Sequence, residues 1–543
     1  MINIHTLSCC LLILNLHFKY LSSSRYYRRK ITGEHISVLI FCTLESKICK
    51  EKLIIILIAL VFLRPHIRAE EMTGYDSSVI FNVETQASFA GGENTPFWLV
   101  SNKHGLGSPQ FNNGFVRGEI FKSMNPSSKF DWGAGADLTG AWNLPAPFAI
   151  RQLYGELHYR KIWINIGARN LYNGINNHRL SSGDLLFSGN AMAIPQARIG
   201  TYDFAPFWGT NEWFSVKAYL SYGFFTDSNW QKSWVSPEYT RNSGVLFCGR
   251  GLWLRGGNME KFPLTFEVGI EMGTQFGGTI YNKGEKLKMP SRFADWIKAI
   301  IPSAGGDNTP MGEQTNVQGN MTGEYSMSTS FSPKKGWNIR AYWEHYFEDH
   351  SQMTFEYGLW KDGLWGLELT FPDNPFIKKF VYEYVATKDQ TGAVNNDSTP
   401  EIPEQVSGRD NYFNHYIYGS WQNWGMTIGT PLAISPLYNR NHQLTILNTR
   451  FIANHFALEG QPTSALNWRF LLTFSRNWGS YWYPLTDVMD SCSGLCEVTY
   501  KPKTFHGFYA KGALAWDHGH LLGNNFGGMI SLGFEGSFNF SSK

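Results

Sequence analysis

Residues 151–167, RQLYGELHYRKIWINIG, carry the reading on which the fold turns. Taken two at a time, Leu153, Gly155, Leu157 and Tyr159 share one face, and Gln152, Tyr154, Glu156, His158 and Arg160 share the other. A period of two is the signature of a β-strand. Arg160-Lys161 reads as a short turn, after which Ile162, Ile164 and Ile166 oppose Trp163 and Asn165. The result is a hairpin with one apolar face and one polar, partly aromatic face. In a soluble sandwich the apolar face would be the core. In a transmembrane barrel it would meet lipid, and the polar face would line the lumen.

Repetition favours the barrel. Phe214, Val216, Ala218, Leu220, Tyr222 and Phe224 alternate with Ser215, Lys217, Tyr219, Ser221 and Gly223. Residues 264–273 and 468–474 repeat the pattern, as does the C-terminal run of Ile530, Leu532, Phe534, Gly536, Phe538 and Phe540. Segments of about ten residues with aromatics near their ends match membrane-spanning strands and their aromatic girdles. With about 26 residues per strand and loop, and an even strand number as the rule, the body 70–543 is expected to form one outer-membrane barrel of about 18 antiparallel strands.

Composition agrees. Of 543 residues, 16% are aromatic and only 17% charged, and the body has no apolar run long enough for a helical span. The formal charge of +3 is misleading. Residues 1–69 hold ten Lys and Arg against three Asp and Glu; removing these from the totals of 47 and 44 leaves 37 against 41, a body of net −4. Nucleic acid is therefore not an expected partner. Within the leader, Lys47, Lys50 and Lys52 precede the apolar core 53–63, LIIILIALVFL, which predicts a signal peptide cleaved near Ala69 and export to the outer membrane. No Met lies between Met1 and Met72, so translation is expected to begin nearer Leu44 at a non-Met codon.

Three smaller features carry expectations. Residues 95–106, TPFWLVSNKHGL, suggest a segment folded into the barrel. Residues 290–301, PSRFADWIKAII, place Phe293, Trp296, Ile297 and Ile300 on one side of a short helix that plugs the lumen, caps a mouth, or packs on the periplasmic rim. Residues 388–408 are polar and Pro-containing, an exposed loop. Sparse cysteine fits an exported protein without a disulfide framework. Cys492 and Cys496, flanking Ser493-Gly494-Leu495 in an expected loop, form a candidate small disulfide, with no neighbouring ligands for a metal.

Residues 342–369, YWEHYFEDHSQMTFEYGLWKDGLWGLEL, resemble the Wzi family of capsule-assembly outer-membrane proteins. So do residues 95–106, residues 195–200 (PQARIG), residues 381–392 (VYEYVATKDQTG) and residues 408–432, GRDNYFNHYIYGSWQNWGMTIGTPL. The resemblance implies an 18-strand barrel with helical segments, a role in holding surface polysaccharide, and no enzymatic chemistry or cofactor. The expected partners are capsular or exopolysaccharide, outer-membrane lipid, and the barrel assembly machinery during biogenesis, for a monomer.

Sugar recognition uses flat aromatic faces and hydroxyl-binding side chains, which singles out Tyr342, Glu344, Tyr346, Arg409, Asp410, Tyr412 and His415. The competing role for each is wall or girdle packing. Parity puts Arg340, Tyr342, Glu344 and Tyr346 on one face, with Glu344 inward. No catalytic residue stands out. The adjacent pairs Asp349-His350 and Asp517-His518 would point to opposite faces of a strand, and no G-x-S-x-G motif occurs. A sugar-selective or general diffusion porin is the second reading and an outer-membrane hydrolase the third.

Overall fold

A computed structural model describes residues 78–539 apart from 126, 208, 211, 308, 311–312, 315–316, 334, 349–352, 354, 356–359, 373, 395–398 and 404–407. The expected leader, its cleavage point near Ala69, Phe540 and the pair Asp349-His350 fall outside the described residues.

Eighteen antiparallel strands close into a barrel. They are β1 (Ser78–Gly91), β2 (Asn113–Lys122), β3 (Phe130–Trp142), β4 (Phe148–Tyr159), β5 (Ile162–Ala168) and β6 (Gln196–Thr201). Next come β7 (Phe214–Phe224), β8 (Leu246–Gly256), β9 (Leu264–Phe276), β10 (Asn320–Phe331), β11 (Asn338–Glu348) and β12 (Gly363–Thr370). The circle is completed by β13 (Lys379–Ala386), β14 (Arg450–Thr463), β15 (Leu466–Gly479), β16 (Pro484–Tyr500), β17 (Phe508–Gly519) and β18 (Asn525–Asn539). Closure comes from β1 pairing with β18 along its whole length, from Ser78↔Asn539 to Gly91↔Phe526. Full closure leaves no sheet edge, the condition for strands in hydrocarbon.

The opening hairpin settles which solvent the apolar face meets. Leu153, Leu157, Tyr159, Ile162 and Ile166 lie exposed on the outside, whereas Trp163 and Asn165 are buried inside. The same outward face carries Phe130, Tyr159, Phe214, Phe331 and Tyr500 at one rim and Phe89, Trp142, Phe148, Phe224 and Phe526 at the other, two aromatic girdles. The described chain begins and ends at the first rim, beside the short turns. The long connections 92–112, 169–195, 225–245, 277–319 and 387–449 lie at the second rim. Barrels of this class place short turns in the periplasm and long loops outside, so the second rim is the extracellular mouth.

One expectation is corrected, and the alternatives for the short helix are narrowed to the one that caps a mouth. Cys492 and Cys496 sit within β16, not in a loop. Four residues of extended chain separate them by about 13 Å, beyond any disulfide, and both lie on the outward face opposite buried Ser493, Leu495 and Glu497. The helix forms over Phe293–Lys298 in the β9–β10 connection. It lies at the extracellular rim rather than in the lumen or on the periplasmic side: Trp296 packs on Tyr222 and Phe276 near the ends of β7 and β9, while Phe293 projects outward, 82% exposed.

Closure predicts the effect of a C-terminal truncation. Phe538 stacks on Phe81 at 5.0 Å and pairs across the seam with Val79. Removing residues 538–543 leaves the end of β1 unpaired on its β18 side, so heat-modifiable migration on gels is expected to disappear and the chain to be degraded before assembly. Normal migration of the truncated chain is the contrary result.

Candidate functional site

The lumen is filled from the extracellular side. Three segments fold inward: the helix Phe97–Val100 (α1), residues 175–194, and residues 412–446. Trp98, Leu180, Leu185, Leu186, Tyr412, Phe413, Tyr418 and Trp421 are buried together in one core that also contains wall residues Tyr342, Tyr346, Phe247 and Leu364. Segment 95–106 is therefore inward-folded, as its sequence suggests. At Gly273 of β9 an added Cβ would lie 2.4 Å from the Trp421 ring, so only glycine leaves room for this plug side chain.

The wall holds the plug with carboxylates. Glu383 of β13 accepts from the Ser182 backbone N–H at 2.7 Å, the Ser182 hydroxyl at 2.5 Å and the Tyr342 hydroxyl at 2.6 Å. Glu344 of β11 accepts from Leu185 N–H at 2.9 Å, and Glu324 of β10 from Leu186 N–H at 3.0 Å. Asp517 of β17 accepts from Phe97 N–H at 3.0 Å. His455 of β14 meets the Leu180 carbonyl at 2.7 Å and the Thr473 hydroxyl at 2.8 Å. The bonds to the Ser182, Leu185, Leu186 and Phe97 N–H groups each satisfy a plug amide that has no sheet partner, and His455 satisfies the Leu180 carbonyl. Elsewhere the wall is braced by its own ion pairs: Arg117 with Glu84 and Asp137, Arg151 with Asp137, Arg469 with Glu497.

Most of the sequence-derived sugar contacts belong to this plug-to-wall seam. Glu344 points inward, as its parity requires, and is 0% exposed. Tyr342 serves Glu383, Tyr346 donates to Glu348 at 3.1 Å and packs its ring on Tyr412 and Phe413, and Tyr412 is itself fully buried. His415 turns Nδ1 to the backbone N–H groups of Ile417 and Tyr418, and burial holds its imidazole down at about 3, so it stays neutral. Tyr342, Glu344, Tyr346 and Tyr412 are sealed from a polymer outside, while His415 is half-buried; the alternation was legible, the filling of the lumen only at segment 95–106. Asp517 and His518 confirm the expected opposition: the aspartate is buried inward and His518 lies on the exposed face.

Asp184 of the plug gives the seam a pH dependence. Burial, then the Glu271 and Glu383 carboxylates, push its carboxyl from the ordinary 3.8 up to about 8. A raised folded-state value means that the stabilisation is complete below the unfolded value and is lost as pH rises through the folded one. Protease access to 175–194 is thus expected to rise as pH increases from about 4 to about 8 and to level off above it, and Asp184→Asn to reduce the dependence. An unchanged digestion profile between pH 5 and 8 in the native protein is the contrary result.

Arg409 and Asp410 fall elsewhere, in the half-buried approach to the mouth. The Arg409 guanidinium lies 5.4 Å over Trp482, Arg450 lies 3.8 Å over Tyr481, and Lys388 lies 4.9 Å over Trp478. Trp482 and Tyr483 are exposed. This cationic, aromatic surface spans the extracellular ends of β13 to β16. A second feature at the same mouth is a cleft of about 250 Å³ where Trp230 and Trp234 meet Ser108, Gln110 and Pro145. The two indoles stack at 4.9 Å, and Trp234 stacks again on His442. They lie on the helix Ser228–Trp234 (α2) in the β7–β8 connection. The sequence signals for these residues are the four-residue spacing of the two tryptophans, which is helical, and the aromatic run Tyr481-Trp482-Tyr483 between two strands. Among the described residues no cluster of His, Cys, Asp and Glu could hold a metal ion.

No family model and no curated protein sequence matches the chain. Among solved structures it is similar to Wzi, an outer-membrane protein involved in group 1 capsule assembly in Escherichia coli and a carbohydrate-binding β-barrel. The two are 12% identical, the match covers 85% of each chain, and the TM-score is 0.52. The fold is that of a Wzi-like outer-membrane barrel. Weaker likenesses are to OccK5 (OpdH) of Pseudomonas aeruginosa, 8% identical over 86% of this chain and 100% of that one with TM-score 0.43, and to OprD of the same organism, 8% identical over 88% and 100% with TM-score 0.40. This Wzi-like barrel thus presents a filled lumen and an aromatic, cationic extracellular mouth.

Proposed function

We propose that this outer-membrane barrel holds capsular or exopolysaccharide at its extracellular mouth, without chemistry of its own, as a member of the Wzi group. The observation that carries this reading is the pairing of a plugged lumen with the Arg409, Arg450 and Lys388 guanidinium and ammonium groups laid over Trp482, Tyr481 and Trp478. Flat aromatic faces stack on sugar rings, and the cations beside them favour polymers that carry carboxylates. Arg409 is the direct contact, with Asp410 beside it; Tyr342, Glu344, Tyr346, Tyr412 and His415 act indirectly, by fixing the plug beneath the mouth. The printed description of the similar Wzi structure as carbohydrate-binding supports the same reading. A diffusion porin would need an open path, and the buried core of Leu180, Leu185, Trp98 and Trp421 stands in its way. Lipid around the girdles and the barrel assembly machinery complete the partner set. The test joins glycan-array binding by the purified protein to planar-bilayer recording. Binding of polysaccharide fragments without channel steps supports attachment; steady conductance without glycan binding moves the porin reading ahead.

A further inference from the structure

We propose that the periplasmic mouth contains a second saccharide site, distinct from the extracellular one, and that it takes an acidic sugar unit. A cavity of about 500 Å³ lies between the plug tip at 176–179 and the periplasmic ends of β10 to β14. That volume falls within the roughly 300–1,000 Å³ of small-molecule sites. Its orientation follows from the register: Ser330, Asn338, Thr370 and Lys379 all stand at or one residue from strand ends joined by the short turns.

The charge arrangement selects an anion. Three cations, Arg179, Arg340 and Lys379, face two carboxylates, Glu368 and Glu459. Glu368 is already engaged by Arg340 at 2.5 Å, by Asn177 at 3.2 Å and by Lys379 at 3.4 Å, and its side chain is 8% exposed. Glu459 is held by Arg179 Nε at 3.0 Å. The cations are the open members of these pairs: the Arg179 side chain is 53% exposed and that of Lys379 34%. Arg179 uses its Nε–H on Glu459, and its terminal N–H groups remain to form a fork matched to a carboxylate. The lining contains no apolar side chain, which argues against a lipid tail, and Asn176, Asn338, Ser330 and Thr370 supply both donors and acceptors for hydroxyls. Anionic charge with many hydroxyls describes a uronate-type sugar. This inference rests on the cavity and the barrel's orientation, independently of what the extracellular mouth binds.

The test is calorimetry on detergent-purified full-length Arg409→Ala/Trp482→Ala protein, so that the extracellular surface makes little contribution. The probes are a galacturonate trisaccharide and, as the neutral counterpart, maltotriose. Saturable, salt-sensitive binding of the acidic probe alone is expected, and adding Arg179→Gln and Lys379→Gln should weaken it about tenfold or more, a loss of at least about 1.4 kcal/mol. Both substituted side chains are open to solvent, and heat-modifiable migration checks that the variant folds. Equal affinity for maltotriose, no binding of the acidic probe at millimolar concentration, or undiminished binding by the Gln variant would each overturn the site.

Discussion

Excising residues 175–188 and joining the ends with a short Gly-Ser linker is expected to turn a silent barrel into a conducting one. An 18-stranded barrel is wide enough for an aqueous channel, and removing one of the three lumenal segments opens a gap beside the helix Phe97–Val100 and residues 412–446, so conductance should rise roughly tenfold or more above the native background. The excised segment supplies the plug amides of Ser182, Leu185 and Leu186, which the wall binds through Glu383, Glu344 and Glu324. Those glutamates would then face water instead of a backbone, which costs the barrel wall little. A subtler variant separates anchoring from filling. Glu383→Ala leaves three donors in the seam without their acceptor, the Ser182 amide, the Ser182 hydroxyl and the Tyr342 hydroxyl. Each buried unmet donor costs about 1–3 kcal/mol, so the plug should loosen and give intermittent openings, with the barrel intact. Planar-bilayer recording reads both variants. If the excised protein folds and stays silent, the segment does not close the lumen.

Much of the fold was legible because strands write their environment into a two-residue alternation. Leu153, Leu157, Ile162 and Ile166 announced the lipid face, and Trp163 and Asn165 the inner one. The strand number followed from chain length, since strand and loop together average a narrow range in barrels. The plug was much less legible. Its bonds join residues such as Leu185 and Glu344, 159 positions apart, and nothing local to either marks the partner. An inward carboxylate looks the same in sequence whether it meets water, sugar or a plug amide. Glu344, Tyr342 and Tyr346 therefore look in sequence like sugar contacts. Cys492 and Cys496 misled for a different reason: the small residues Ser493 and Gly494 suggest a turn, but the strand's own alternation extends straight through them. Arg409 was found by its aromatic and polar surroundings, and Trp230 and Trp234 were missed because they form no motif beyond their own spacing.

The second large effect is expected at the extracellular mouth. Replacing Arg409, Arg450 and Trp482 together by alanine removes two guanidinium groups and the indole that one of them covers. A polymer is held by many modest contacts of about 1 kcal/mol each. Losing three should therefore cost about 3 kcal/mol, near a hundredfold in local affinity. Single substitutions such as Arg409→Ala or Asp410→Ala should weaken retention without abolishing it, unlike a catalytic residue, whose loss costs orders of magnitude in rate. Glu344→Ala should act differently again. It leaves the Leu185 amide unmet inside the seam, so its main effect is on closure of the lumen.

Attachment is tested most directly by measuring cell-bound and released polysaccharide in a deletion strain complemented with native protein or with the Arg409→Ala/Arg450→Ala/Trp482→Ala variant. A barrel that holds polymer at this surface predicts unchanged total polysaccharide, with the bound share restored by the native chain and shifted to the medium by the variant at equal outer-membrane levels. Equal bound polysaccharide in the deletion strain, the native complement and the variant would contradict it.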